Sequence, residues 1–303
     1  MRNELDKRAA VIGLGAMGGA MASTLHSAGW QVTGFDPSEA ARKNAEEIGI
    51  KTVSALEGIS STPFAVLSLP SAKVVELTVP ELLKGSETIS IVDTTTSEPD
   101  VSTKMAALAE QQGASFVDAP VSGGRDGAAN GTLSAFIGAT ERALQSAEPI
   151  LTALTGGNYD HIGGPGSGNV VKLLNNVLAA TNLVAVGEAL AVANAYGINP
   201  STAAASISNA SGGSKVSNHM YPTWVLSGTH DSGFALGLMA RDSALAVSIS
   251  QRIGEDPQLL KSVSEQWQKA LTSLGPKADF TEIAHSVAPA ITKSGDLSNA
   301  ENL

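Results

Sequence analysis

The chain of 303 residues has no cysteine, which removes disulfide frameworks, thiolate nucleophiles and cysteine-bound metals together. Basic charge is scarce: 19 Lys and Arg stand against 29 Asp and Glu, a formal net charge of −10. That balance disfavours polyanions, and no Lys/Arg cluster reads as a nucleic-acid or lipid-headgroup patch. No apolar run reaches the roughly 18 residues of a membrane span. The polar start, Met1 to Arg8, lacks the apolar stretch and cleavage site of a secretory signal. Internal repeats and low-complexity tracts are absent too. The expectation is a cytoplasmic chain with no nucleic-acid, membrane or metal partner. With 43% hydrophobic residues it can bury large cores, and its length suits two domains.

What is present in the first half is alternation. Strand-like runs stand at "RAAVIGL" (8–14), "WQVTGFD" (30–36), "FAVLSLP" (64–70), "TISIVDTTT" (88–96), "SFVDAP" (115–120), "LSAFIGA" (133–139) and "NYDHIG" (158–163). Between them lie helical segments. Residues 16–28 carry Met17, Met21 and Leu25 at helical spacing, Pro37-Ser38-Glu39 opens a second helix with Pro in its first turn, and another covers roughly 98–112. Strand–helix alternation of this kind implies a parallel sheet with helices on both faces.

After "GGPGSGN" (163–169) the pattern changes. Val170 to about Tyr196 is one proline-free, Ala/Leu/Val-rich stretch; at 1.5 Å per residue it spans roughly 40 Å as a helix. It is apolar around most of its circumference, so burial on several sides is expected. Helical segments follow at 199–210, 240–254, 256–274 and 279–293. The reading is an α/β domain over 1–166 and an all-helical domain over 167–303 for substrate and oligomer contacts.

Gly13-Leu14-Gly15-Ala16-Met17-Gly18 lies between the first strand and the first helix, the context expected of a dinucleotide fingerprint. In that pattern Gly13 makes the tight turn, Gly15 lets a pyrophosphate approach the main chain, and Gly18 lets the helix pack near the sheet. Unpaired N–H groups at the helix start then face the phosphates. Asp36, 18 residues past Gly18 at the end of the second strand, would accept from the adenosine ribose hydroxyls and repel the extra phosphate of NADP. Pro37, Ser38 and Glu39 offer no arginine and Arg42 is a turn further on, so NAD is favoured over NADP. A helix N-cap before Pro37 is the other role open to Asp36. Leu69-Pro70 and Thr95-Thr96 end two apolar strands where the nicotinamide ribose would lie; Thr96 or Ser97 equally suits a cap for the helix at Glu98.

Hydride transfer to a carbonyl needs a proton donor. The five histidines, His26, His161, His219, His230 and His285, are scattered. Lys172, read as lying in the first turn of the long helix, shares a face with Asn175 and Asn176 at i+3 and i+4. Residue type alone also allows an ordinary lysine with a packed stem and a solvated head.

Six segments in order, "GLGAMGGAM" (13–21), "SLPS" (68–71), "VDTTTSEP" (92–99), "DAPVSGGRDGAANGTLSAFIG" (118–138), "GPGSGNVVKLLNN" (164–176) and "GFALGLMARD" (233–242), carry a resemblance over nearly the whole chain. The chain resembles the β-hydroxyacid dehydrogenases, which include 3-hydroxyisobutyrate dehydrogenase and tartronate semialdehyde reductase. The resemblance implies a Rossmann domain followed by an all-α domain on a long interdomain helix, with substrate held between the two. It implies Lys172 as general acid in reduction and general base in oxidation, with Asn175 and Asn176 as the substrate-binding pair. Ser122, Gly123 and Gly124 would hold a substrate carboxylate, a segment that on its own reads as a flexible turn. Phe234 and Asp242 would close over the site. Arg241 stands where the family usually has a cofactor-approaching lysine, which keeps the charge on a bulkier, planar group. Arg125 would bind a second acidic group, a sulfonate included, or pair with Asp126 or Glu141 on the surface. A homodimer or homotetramer acting on a small carboxylate or sulfonate is implied. An imine reductase-like enzyme and a non-catalytic cofactor-binding scaffold are the alternatives; the retained Lys172 speaks against both.

Overall fold

The structure, a computed structural model, describes residues 6–59, 62–84 and 89–292. Thr88 and Lys293, the outer ends of two expected elements, lie outside these, as do the ends of both expected domains. The chain forms two compact units, Met1–Lys172 and Leu173–Leu303.

The first unit is built on a sheet of nine strands among the described residues, ordered β3-β2-β1-β4-β5-β6-β8-β7 with β9 beside β8. These are β1 (Arg8–Ile12), β2 (Gln31–Phe35), β3 (Lys51–Val53), β4 (Phe64–Leu67), β5 (Ser90–Asp93), β6 (Ser115–Asp118), β7 (Val121–Ser122), β8 (Ser134–Gly138) and β9 (Tyr159–Gly163). The run from β3 to β6 is parallel. β8, however, pairs antiparallel with β6 and β7, so the expected all-parallel sheet is corrected at this edge. Helices α1 (Ala16–Ser27), α2 (Glu39–Glu47), α3 (Ala72–Leu83), α4 (Pro99–Gln111), α5 (Gly124–Asn130) and α6 (Glu141–Thr155) connect the strands.

The strands are apolar at consecutive positions because side chains alternate between two buried faces. Ala9, Val11, Val66, Val92 and Val117 pack with Met21, Leu25 and Ile150 on one side. Ala10, Ile12, Leu67, Ile91 and Phe116 pack with Val75, Val79 and Met105 on the other. Burying both faces holds the strand ends in register, which places the loops that follow them.

The long helix, α7 (Ser167–Ala195, 29 residues), starts three residues earlier than its apolar pattern. Lys172 is therefore in its second turn, not its first. By length and composition α7 would qualify to cross a membrane, although its apolar residues are not one continuous run. No uninterrupted apolar run exists because Lys172, Asn175, Asn176 and Glu188 break it. The division between units falls inside α7.

In the second unit Leu183, Val184, Val186 and Leu190 of α7 pack with Tyr221, Trp267 and Phe280. The Tyr221 hydroxyl donates to the Leu183 carbonyl at 2.8 Å, and burial raises its pKa. Gly187 makes room for it: a Cβ there would overlap that hydroxyl. The remaining helices are α8 (Pro200–Ser208), α9 (Leu236–Arg252), α10 (Gln258–Leu274), α11 (Ile283–Val287) and α12 (Pro289–Thr292). A π-helical segment at Val216–Val225 and a 3-10 turn at Phe280–Glu282 were not foreseen, and α9 begins before the expected 240.

Candidate functional site

The glycine turn follows β1 directly. Gly13 has φ +90°, and a Cβ there would overlap the Ser68 carbonyl oxygen at the end of β4 and lie 3.0 Å from its carbon. A Cβ at Gly18 would overlap the Gly13 carbonyl oxygen and lie 2.9 Å from that carbon. Gly15 differs: it caps α1 at an ordinary φ of −64°, and a Cβ there would meet nothing within 4 Å. Two of the three glycines are thus required by the fold and the third keeps space open. Gly15 and Ala16 are exposed at the helix start, whereas Leu14 is buried and Met17 packs against the core.

Asp36 stands beside this turn. Its Oδ2 accepts from the Leu14 N–H at 2.8 Å and its Oδ1 from the Ser38 N–H at 2.8 Å. The cap of α2 is Ser38, whose hydroxyl accepts from Ala41 N–H. This removes the N-cap role from Asp36 and leaves Pro37 outside the helix. Arg42 was discounted as too distant. Its Nη1 instead donates to the Asp36 carbonyl at 2.6 Å, because one helical turn brings it back over the strand end.

At the ends of β4 and β5 the Thr95 hydroxyl accepts from the Leu69 N–H at 3.0 Å, drawing those two residues together. Pro70 is exposed and Thr96 half-buried. Glu98, without a side-chain bond, is the N-cap of α4; neither Thr96 nor Ser97 caps it. The Ser97 N–H goes to Asn169 Oδ1 at 2.9 Å instead.

Ser122 ends the two-residue strand β7, opposite Ser134. Gly123 (φ +119°) caps α5 and Gly124 (φ +63°) begins it. The segment is an ordered strand-to-helix turn, and the first N–H groups of a helix have no intrahelical acceptor. Arg125 is exposed. Among the described residues it pairs with neither Asp126 nor Glu141, and Glu141 faces His161 at 3.6 Å.

Sequence reasoning missed two fully buried carboxylates in this unit. Asp93 and Asp118 are register neighbours at the ends of β5 and β6. Burial raises Asp93 to about 7 and Asp118 to about 6. Asp93 Oδ1 accepts from Thr95 N–H at 3.0 Å. Asp118 accepts from Gly166 N–H at 2.7 Å and Asn169 N–H at 3.0 Å. The available signal was position: each is the last residue of a parallel strand, at the carboxyl end where ligands gather in such sheets.

In the second unit, Asn176 and Asp242 are both buried. Asn176 Nδ2 donates to Asp242 Oδ2 at 2.8 Å, and Asn175 Nδ2 donates to Asn176 Oδ1 at 3.2 Å. Asp242 Oδ1 accepts from Arg241 Nε at 3.0 Å and Nη2 at 2.8 Å. Asp242 is therefore the hub of this cluster, and Arg241 is one of its partners. Phe234 is half-buried, edge-on to Phe280 at 5.5 Å. Lys172, 8% exposed, lies one turn before Asn176 along α7. Two cavities, about 430 Å³ beside α8 and about 260 Å³ beside α4, are lined by none of the expected site residues. Among the described residues no group of three or more His, Asp or Glu is arranged for a metal ion.

The glycine turn and the acidic strand end beside it are the arrangement of a dinucleotide-binding domain. Residues 8–163 match the NAD binding domain of 6-phosphogluconate dehydrogenase, and 166–287 match the NAD-binding domain of NADP-dependent 3-hydroxyisobutyrate dehydrogenase. A 2-(hydroxymethyl)glutarate dehydrogenase from Eubacterium barkeri is 33% identical over 84% of this chain and 86% of its own. The 3-hydroxyisobutyrate dehydrogenase of Pseudomonas aeruginosa is 30% identical over 97% of each chain. The solved 3-hydroxyisobutyrate dehydrogenase of Mycobacterium tuberculosis with L-serine superposes with TM-score 0.87 at 28% identity, covering 93% of this chain and 99% of its own. The chain belongs to the 3-hydroxyisobutyrate dehydrogenase-like β-hydroxyacid dehydrogenases, a family of NAD(P)-dependent oxidoreductases.

Proposed function

We propose that this protein is an NAD-dependent 3-hydroxyacid dehydrogenase, interconverting a small 3-hydroxyacid and its semialdehyde or keto acid. The observation that carries the reading is Lys172, a nearly buried ammonium-bearing side chain one helical turn before the anchored Asn176.

The residues present fit a dinucleotide, since Gly15 keeps open the space that a phosphate at the start of α1 requires. Gly13, Leu14, Gly15, Ala16, Met17 and Gly18 would hold it, with Asp36, Leu69, Pro70, Thr95 and Thr96 at the strand ends. When bound, it supplies or accepts the hydride. Lys172 donates a proton to the substrate oxygen as the carbonyl is reduced and takes it back in the oxidation. Ser122 and the main-chain N–H groups of Gly123 and Gly124 receive the carboxylate, their positive φ angles making a concave anion seat. Asn176 gives one amide hydrogen to Asp242 and keeps its second for substrate; Asn175, Phe234 and Arg241 are the further substrate- and cofactor-binding residues proposed in the second unit.

NAD is preferred in this reading because the Asp36 carboxylate would meet a 2′-phosphate. Arg42, held on the same strand end, limits that preference to a modest one. Arg125 would select a substrate with a second acidic group, as the name of the 2-(hydroxymethyl)glutarate dehydrogenase suggests for that relative. Leu174, Leu178 and Val192, exposed along one side of α7, and Tyr196 just past its end, support a homodimer or homotetramer. The cytoplasm is the compartment proposed, although a Rattus norvegicus relative is described as mitochondrial. The test is Lys172→Ala: turnover of 3-hydroxyacids nearly disappears while NADH binding, followed by fluorescence, stays intact. An unchanged kcat overturns the mechanism.

A further inference from the structure

α7 begins at Ser167, and the residue before it, Gly166, has no side chain to cap it. Its first N–H groups need acceptors from elsewhere, and the acceptor is a carboxylate from the end of β6. Asp118 Oδ1 takes the Gly166 N–H at 2.7 Å and Oδ2 takes the Asn169 N–H at 3.0 Å. Three glycines clear the ground. A Cβ at Gly138 would lie 2.6 Å from Asp118 Oδ2, and one at Gly168 would lie 2.9 Å from the same oxygen. A Cβ at Gly166, whose φ is +91°, would lie 2.7 Å from the Pro99 carbonyl oxygen. The same turn is tied on its other side by Asn169, which is fully buried. Its Oδ1 accepts from Ser97 N–H at 2.9 Å, and its Nδ2 donates to Ser102 Oγ at 3.1 Å.

We infer that Asp118, with Asn169, is a positioning residue for Lys172, setting the axial and rotational register of the helix that carries it. The inference rests on the role proposed above for Lys172. Asn169 precedes Lys172 by less than one turn, so the rigid first turn transmits its placement directly. A carboxylate at a helix N-terminus is favoured electrostatically as well as by hydrogen bonding. Proton transfer tolerates little misplacement: shifts near 1 Å can cost about a hundredfold in rate. The clamp also joins the segment after β5, where Thr95 and Leu69 meet, to the helix bearing the proton donor. Both ends of the reaction are thereby referred to one buried turn.

The test compares wild type with Asp118→Asn, which keeps the shape but turns an amide NH2 toward main-chain donors, and with Asn169→Ala. Two readouts are taken on the full-length protein: amide hydrogen exchange at 166–172, and steady-state kinetics beside NADH affinity. Expected are at least tenfold faster exchange confined to that turn and kcat lower by roughly 10- to 100-fold. The NADH Kd and the KM for NAD should stay within about twofold. A purely structural role would lower thermal stability and the active fraction while leaving kcat per active site unchanged, and that result overturns the inference. Unaltered exchange in both variants overturns it too. If Asp118→Asn fails to fold, the Asn169→Ala kinetics decide by the same criterion. A wild-type protein that turns over no hydroxyacid defeats the proposed function instead, and the exchange data then report on the clamp alone.

Discussion

The three glycines after β1 should respond to alanine in different ways, and the difference separates folding from binding. At Gly18 a Cβ would overlap the Gly13 carbonyl oxygen and lie 3.1 Å from Ser68 Cβ. None of these atoms is the far end of a flexible chain, so α1 must move off the sheet. Overpacking of this kind costs about 1–3 kcal/mol. At Gly13 the overlap is with the Ser68 carbonyl oxygen and is compounded by φ +90°, which disfavours any side chain. At Gly15 no atom lies within 4 Å and φ is −64°. Reducing the freedom of the unfolded chain stabilises by about 0.4–1 kcal/mol, while alanine is the poorer N-cap by a comparable amount. Gly15→Ala should therefore change stability by less than about 1 kcal/mol in urea unfolding. The same methyl would occupy the space a pyrophosphate needs, and NADH affinity should fall at least tenfold, equivalent to about 1.4 kcal/mol. Gly18→Ala loses both properties. A Gly15→Ala protein that binds NADH like wild type would refute the assignment of this turn, since no other role for Gly15 is visible.

Asp93 and Asp118 are raised by burial to about 7 and about 6, so the folded state holds their protons more tightly than the unfolded chain does. Their contribution is complete below the unfolded carboxylate range and is lost as pH rises toward about 7. Asp93→Asn should accordingly improve the urea midpoint at pH 8 relative to pH 5; an equal offset at both values would show that Asp93 is not protonated in the fold. Asp242→Ala removes the acceptor of Asn176 and Arg241. Breaking a buried pair costs about 3–5 kcal/mol, but the Arg241 side chain is 33% exposed and can turn to water, so about 2–3 kcal/mol is expected, with a higher KM for hydroxyacid. A midpoint within error of wild type would remove Asp242 as the hub. Arg125→Ala should leave stability unchanged, since the side chain is exposed, and should raise KM for diacids at least tenfold more than for monoacids. Equal effects on both would withdraw its selectivity role.

Where burial is two-sided, residue order alone locates the elements. β1, β4, β5 and β6 read as apolar runs because consecutive residues enter opposite cores, and Gly13, Ser68, Asp93 and Asp118 mark where each run gives way to a turn. The glycine spacing was legible as a motif between a strand and a helix, although the carbonyl that requires Gly13 belongs to the distant Ser68. The short elements were not. β3 has three partly exposed residues and β7 only two, too few for a period-2 pattern to show, and each exists because a neighbouring strand offers its edge. The segment Val216–Val225 contains Pro222, which argues against a helix until the wider π turn is seen to accommodate it.

The site divides along the same line. Asn175 and Asn176 were readable as neighbours on one helix face, whereas the bond of Arg241 to Asp242 appears only in the structure. Asp118 and Asn169 meet across fifty-one positions and Ser97 with Asn169 across seventy-two; no periodicity links them. Arg42 shows the converse error, a residue judged remote by counting along the chain and returned to Asp36 by a single turn of helix. Long-range polar contacts of this kind follow from the strand order β5-β6-β8, which brings segments distant in the chain side by side. Asp118 illustrates why they escape a linear reading. As the first letter of "DAPVSGG" it looks like part of an anion-binding turn, yet its carboxylate points to main-chain donors at the start of α7. A buried acid whose lone pairs are taken by the backbone is placed to hold another residue still, and in this chain the residue three positions beyond its anchor is Lys172.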